Sequence, residues 1–138
     1  MSRAAPPVIR IAAALIRNHE GHVLLVRKRG TSFFMQPGGK IEPSETPRMA
    51  LARELREELG IGVDAADPAY LGQFTAAAAG EPGVLVEAEL FDVRLDGPVS
   101  PAAEIEDTVW VDPYALPPFE IAALSGDHIL PLARRTSP

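Results

Sequence analysis

An α+β domain is predicted for this chain of 138 residues, and three observations predict it. Apolar stretches with strand-like patterning stand on both sides of one helical segment. That segment carries both a start and a stop signal. A second helical segment closes the chain. Strands before and after a central helix, with a closing helix, give a mixed sheet sandwiched by helices, while periodicity leaves the sheet topology open.

The elements follow in order. Val8 to Arg17 holds β-branched and small apolar residues and reads as a strand. Asn18-His19-Glu20-Gly21 reads as a turn and His22 to Arg29 as a second strand, which together predict a hairpin. Gly30 to Ser32 is a loop, and Phe33 to Gln36 a short strand leading into the turn Pro37-Gly38-Gly39. Thr46 suits an N-cap, Pro47 the first helical turn and Gly60 a left-handed stop, so a helix is predicted from about Pro47 to Leu59. Ala69 to Ala78 and Val84 to Leu95 read as strands joined by a turn at Gly80 to Gly83. Asp96-Gly97-Pro98 starts a loop and Thr108 to Val111 reads as a short strand. Asp127 to Arg135 is predicted as the closing helix with Asp127 as its N-cap, although Pro131 falls awkwardly just beyond its first turn.

Composition narrows the function classes. Hydrophobic residues make up 46% and charged residues 23%, as in ordinary globular proteins. The expected organisation is one domain over residues 8–136 behind an N-terminal arm, 1–7. The absence of cysteine excludes a disulfide framework and a thiolate zinc site. A formal charge of −6 argues against duplex nucleic acid binding, but not against a phosphorylated substrate, because bound metal and local arginines reverse the local field. No segment reads as membrane-spanning, and the first residues lack the apolar run of a signal peptide, so the expected location is the cytoplasm.

The chemistry concentrates between Gly39 and Ile61, where the pattern is G-x5-E-x7-R-E-L-x-E-E-x-G-I. Glu54, Glu57 and Glu58 stand at i, i+3 and i+4 and therefore share a helix face. Leu51, Leu55 and Leu59 form the neighbouring apolar stripe, which must face a core. Three close carboxylates raise one another's pKa, and a hard cation such as Mg²⁺ removes the conflict. Gly38 and Gly39 let the backbone approach a ligand, so a carbonyl here is a candidate for the metal shell. Arg53, four residues before Glu57, is placed to hold a carboxylate. A glutamate-rich helix alone is commonly just a solvated face. The whole pattern is rarer, with a chance match on the order of 10⁻⁸ at ordinary residue frequencies.

The segment resembles the Nudix box and fills its defining positions. Gln36 to Glu42 followed by Glu45-Thr46-Pro47 is similar to MutT-type members. The resemblance implies an α/β/α sandwich with the box helix at the active site. It also implies hydrolysis of a nucleoside diphosphate-linked compound with Mg²⁺, for which Mn²⁺ substitutes. By position in the box, Glu54, Glu57 and Glu58 are the expected metal ligands, with the Gly38 carbonyl. Glu54 is a candidate for orienting or deprotonating water, and Glu45 with Arg53 resembles the family's supporting ion pair.

Other members use a later loop glutamate, for which Glu104 is favoured here over Glu106, Glu87 and Glu89. Arg27, Arg29 and Lys40 are candidates for substrate phosphates, and Asp127 for a purine edge. His19, His22 and His128 show no ligand spacing. The expected substrate is a nucleoside triphosphate, cut to a monophosphate and pyrophosphate, with oxidised nucleotides included. ADP-ribose or another conjugate is the alternative, although alanines at Ala76 to Ala79 stand where many ADP-ribose members carry a proline. A catalytically silent nucleotide sensor is the alternative of another class, and the intact glutamates oppose it. The expected assembly is a monomer or homodimer.

Overall fold

The computed structural model describes residues 5–64, 67–115 and 117–135; residues 1–4 of the expected arm lie outside them, as does residue 136. In chain order the elements are β1 (Val8–Arg17), β2 (Val23–Lys28), β3 (Phe33–Phe34), β4 (Gly38–Lys40), α1 (Pro47–Leu59), β5 (Ala69–Ala77), β6 (Leu85–Arg94), β7 (Ile105–Val111) and β8 (Glu120–Ile121). A π-helical turn, Ser125–Ile129, then runs into α2 (Leu130–Arg135). The main sheet has the order β5-β6-β1-β2-β7, with β4 also paired to β1. β1 and β6 are parallel from Val8↔Leu85 to Arg17↔Arg94, and the other pairs of this sheet are antiparallel. β3 and β8 form a separate small parallel pair.

Alternation along β1 builds two cores. Ile11, Ala13 and Leu15 pack with Ile129, Leu130 and Ala133 on one face of the sheet. Ala12, Ala14 and Ile16 pack with Ala50, Leu51, Leu55 and Leu59 of α1 on the other. A strand covered on both faces needs a continuous apolar run, which is why β1 does not alternate with polar residues. Each fully buried leucine of α1 contributes about 2 kcal/mol. The result is the predicted sandwich of a mixed sheet between helices.

The predicted hairpin is a fork. β1 and β2 pair only at Arg17↔Val23 and then diverge. Residues 35–40 fill the wedge between them. Met35 exchanges two backbone hydrogen bonds with Val26 of β2, at 2.8 and 2.7 Å. On the other side Ala14 N–H donates to the Pro37 carbonyl at 3.0 Å, and β4 pairs with Ile11, Ala12 and Ala13. The wedge thus satisfies the backbone groups that the fork leaves open.

Gly38 makes this insertion possible. Its φ is +136°, and a Cβ there would stand 2.2 Å from the Ala12 carbonyl oxygen. Gly38→Ala is therefore expected to lower stability by about 2 kcal/mol or more, seen as a lower urea midpoint at unchanged slope.

α1 begins and ends where its caps predict. The Thr46 hydroxyl accepts from Met49 N–H, Pro47 occupies the first turn, and Gly60 is left-handed at φ 67°. The last carbonyls are met by a distant loop: Ala102 N–H donates to Glu58 O at 2.9 Å and Ser100 N–H to Leu59 O at 3.0 Å.

The closing helix corrects the prediction. Helical conformation is already present at 123–124, so Asp127 is not an N-cap but lies inside the π-helical turn. Pro131 has no N–H to give to the carbonyl of Asp127. The chain widens just before it, and Leu130 N–H donates to Ser125 O. Among the described residues no helix is long and apolar enough to cross a membrane.

Candidate active site

The glycine strand β4 and the helix α1 meet face to face, and the predicted carboxylates lie at this seam. Glu58 is buried and accepts a hydrogen bond from Gly38 N–H at 3.0 Å. Burial above all lifts its carboxyl from 4.5 to about 7; the charges of Glu54 and Glu104 add to the rise, while Gly38 N–H and Lys28 oppose it. Glu54 lies against Gly39, where a Cβ would come within 2.4 Å of its carboxyl carbon. The two glycines thus serve different contacts, one to the sheet and one to a carboxylate.

Arg53 organises the surroundings. Its Nε and Nη2 donate to the two oxygens of Glu45 at 2.7 and 2.8 Å, a bidentate geometry. Nη1 reaches Glu54 at 2.8 Å and Glu57 at 3.5 Å, and Nη2 also donates to the Lys40 carbonyl at 3.1 Å. This hydrogen bonding holds the Glu45 carboxyl down at about 2 and keeps Arg53 firmly protonated. Arg53 thereby joins the loop before α1, the helix and β4 through one guanidinium.

Glu104 arrives from the loop that caps α1. Ala102 is bonded to the Glu58 carbonyl, Ile105 N–H returns to Ala102 O, and Ala103 between them takes a left-handed φ of 54°. This turn brings the Glu104 carboxylate within range of Glu58 and 3.9 Å from Lys28 Nζ. Glu106 instead pairs with Arg29 and Asp107 with Arg27. Glu87 pairs with Arg10, and Glu89 accepts from Tyr70 and Gln73 on β5.

A small open cleft of about 140 Å³ adjoins the seam. Lys28, Gly38, Gly39 and Lys40 line one part of it, and Ile9, Ile11, Val86 and Leu124 give it an apolar wall. Of the three predicted phosphate contacts, Lys40 lines the cleft, whereas Arg27 and Arg29 do not and are engaged by Asp107 and Glu106. Lys28, which sequence reasoning missed, faces the cleft between those two arginines. Alternation along β2 was the available signal, since neighbours on a strand point to opposite faces. Asp127 is exposed and does not line the cleft.

The donor set fits a hard divalent cation: carboxylates, one of them buried near two others, beside a glycine strand whose backbone packs against them. It is not a ready-made cage, because among the described residues no three acidic or histidine side chains converge around one point.

The NUDIX domain profile matches residues 7–132. The CTP pyrophosphohydrolase of Escherichia coli (strain K12) is 33% identical over 137 residues, covering 92% of this chain and 96% of that protein. The 8-oxo-dGTP diphosphatase of Haemophilus influenzae is 45% identical over 58 residues, so the match spans 39% of this chain and less than half, 43%, of that relative. The crystal structure of the MutT protein from Methanosarcina mazei Go1 has a TM-score of 0.72 at 26% identity, covering 96% of this chain and 97% of that one. Nudix hydrolases generally use divalent metal ions. With a profile that runs across the fold and a relative that matches from end to end, the chain belongs to the Nudix family as a MutT-like hydrolase.

Proposed function

We propose that this chain is a Mg²⁺-dependent nucleoside triphosphate pyrophosphohydrolase, releasing a nucleoside monophosphate and pyrophosphate. The observation that carries the reading is the cleft joined to the carboxylate seam through Gly38, Gly39 and two lysines. The end-to-end relative that is a CTP pyrophosphohydrolase supports the triphosphate as substrate class.

In this reading Glu54, Glu57 and Glu58, with the Gly38 carbonyl, would hold the metal, and Mn²⁺ would substitute for Mg²⁺. Held there, such an ion would lower the pKa of water and neutralise phosphate charge. The residues of the chain supply alignment. Lys28 and Lys40 draw the phosphates against the glycine strand. Water attacks a phosphorus, the bridging P–O bond breaks and pyrophosphate leaves. The proton of the water goes to Glu54 or Glu104, the carboxylates whose charges act on the buried Glu58. Arg53 and Glu45 keep Glu54 in register with β4. Transfer of this kind depends on positioning and charge more than on covalent chemistry.

The test is a hydrolysis screen with Mg²⁺ over ordinary and oxidised nucleoside triphosphates, ADP-ribose, nucleotide sugars and diadenosine polyphosphates, with products separated by chromatography. The expected result is a monophosphate plus pyrophosphate from a triphosphate, abolished by chelation. Turnover of ADP-ribose or another conjugate alone would replace the substrate and keep the site. No metal-dependent turnover of any compound would overturn the enzyme reading.

A further inference from the structure

One neutral carboxamide interrupts the apolar wall of the cleft. Gln36 is 5% exposed and lines the cleft between Met35 and the glycine strand. Ser125, fully buried in the π-helical turn, donates its hydroxyl to Gln36 Oε1 at 2.7 Å. That bond occupies the acceptor end of the amide and leaves the N–H2 end. Among the described residues the N–H2 end has no partner, yet it is not among the polar atoms sealed off from solvent. A donor left open in an apolar wall is costly unless something entering the cleft accepts from it.

The backbone on either side is rigid. Met35 is tied to β2 by two hydrogen bonds, and the Pro37 carbonyl to β1 by one. The amide is therefore held at both its root and its tip. A few fixed polar groups in an otherwise apolar pocket are what orient a ligand and select it.

We propose that Gln36 is a specificity-determining residue for the nucleobase, with Ser125 as its positioning residue. The Gln36 side-chain N–H2 donates to a carbonyl oxygen on the base edge, which favours cytosine and other carbonyl-bearing bases over adenine. This rests on reading the cleft as the nucleotide site. Ser125 acts by keeping the amide from rotating its acceptor toward the base.

The experiment measures affinities of CMP and AMP by titration calorimetry, with Mg²⁺ present, and kcat/KM for CTP and ATP, in the wild type, Gln36→Leu and Ser125→Ala. The wild type is expected to prefer the cytosine nucleotide. In Gln36→Leu that preference falls about tenfold, the worth of one good hydrogen bond, while affinity for ribose 5-phosphate stays unchanged. Ser125→Ala leaves the amide in place and unlocks it, so the preference falls by a smaller factor, which keeps the test decisive if Gln36→Leu folds poorly. No base preference in the wild type, or the same preference in both variants, overturns the proposal. A monophosphate preference that flattens in the variants without any triphosphate turnover upholds it and sinks the pyrophosphohydrolase reading instead.

Discussion

Glu57→Gln is expected to cut Mg²⁺-dependent kcat roughly 10³-fold while leaving the fold intact. The two halves of this expectation have separate physical grounds. Glu57 is half exposed, with 53% of its side chain accessible, and its partner in the seam is Arg53 at 3.5 Å. An exposed ion pair of this kind contributes little to stability, so the melting temperature should move by no more than about 0.5 kcal/mol implies. Glutamine keeps the length and the helix propensity. What it removes is one negative charge from the face that gathers Glu54, Glu57 and Glu58. Steady-state hydrolysis and thermal unfolding on the same preparation check both halves. Undiminished turnover would remove Glu57 from the metal face.

The second expected result concerns pH. In chelator, the protein should lose stability as pH rises from about 4.5 to about 7, because Glu58 titrates at 4.5 when unfolded and at about 7 when folded. Across that window the folded state holds a proton that the unfolded state has released, so the slope of stability with pH is negative. The penalty is absent below the window and complete above it, with a total on the order of 3 kcal/mol. Glu45 has the opposite sign. Its folded carboxyl sits at about 2, so its contribution is present above 4.5 and is lost as pH falls toward 2. The two windows do not overlap, which makes them separable by urea midpoints taken at pH 3, 5 and 7.5. Glu58→Gln should flatten the upper window, since the amide oxygen still accepts from Gly38 and carries no charge. A Glu58→Gln protein with the same upper slope as the wild type would show that another group titrates there.

Sequence and structure agree most closely where local rules act alone. The bounds of α1 were legible because Thr46, Pro47 and Gly60 mark them by capping chemistry that needs no tertiary context. The leucine stripe, and with it the orientation of the glutamate face, followed from the helical period. β4 was not legible. Two glycines and a lysine have no strand propensity, and they become a strand only because β1 and β2 part and leave hydrogen bonds open. The same holds for the proximity of Glu104 to Glu58, which depends on Ala102 capping a helix more than forty residues earlier in the chain. Asp127 shows the limit of local reading in another way. Its type suits an N-cap, but a later proline and the packing of Ile129 set the helix phase instead.

The wedge in the fork also bears on how this chain tolerates changes of length. Pro37-Gly38-Gly39 within this wedge reads as a turn, the kind of segment where insertions are normally harmless. Here Met35 is fixed against β2 and residues 37–40 against β1, so adding or deleting one residue would slip the register and bring a different residue to Ala12. Gly38 would leave the place where only glycine fits, and Gly39 would leave Glu54. Length variation is expected to be tolerated better at Ser32, in the loop between β2 and β3. A stretch that reads as a connector is thus as length-restricted as a core strand.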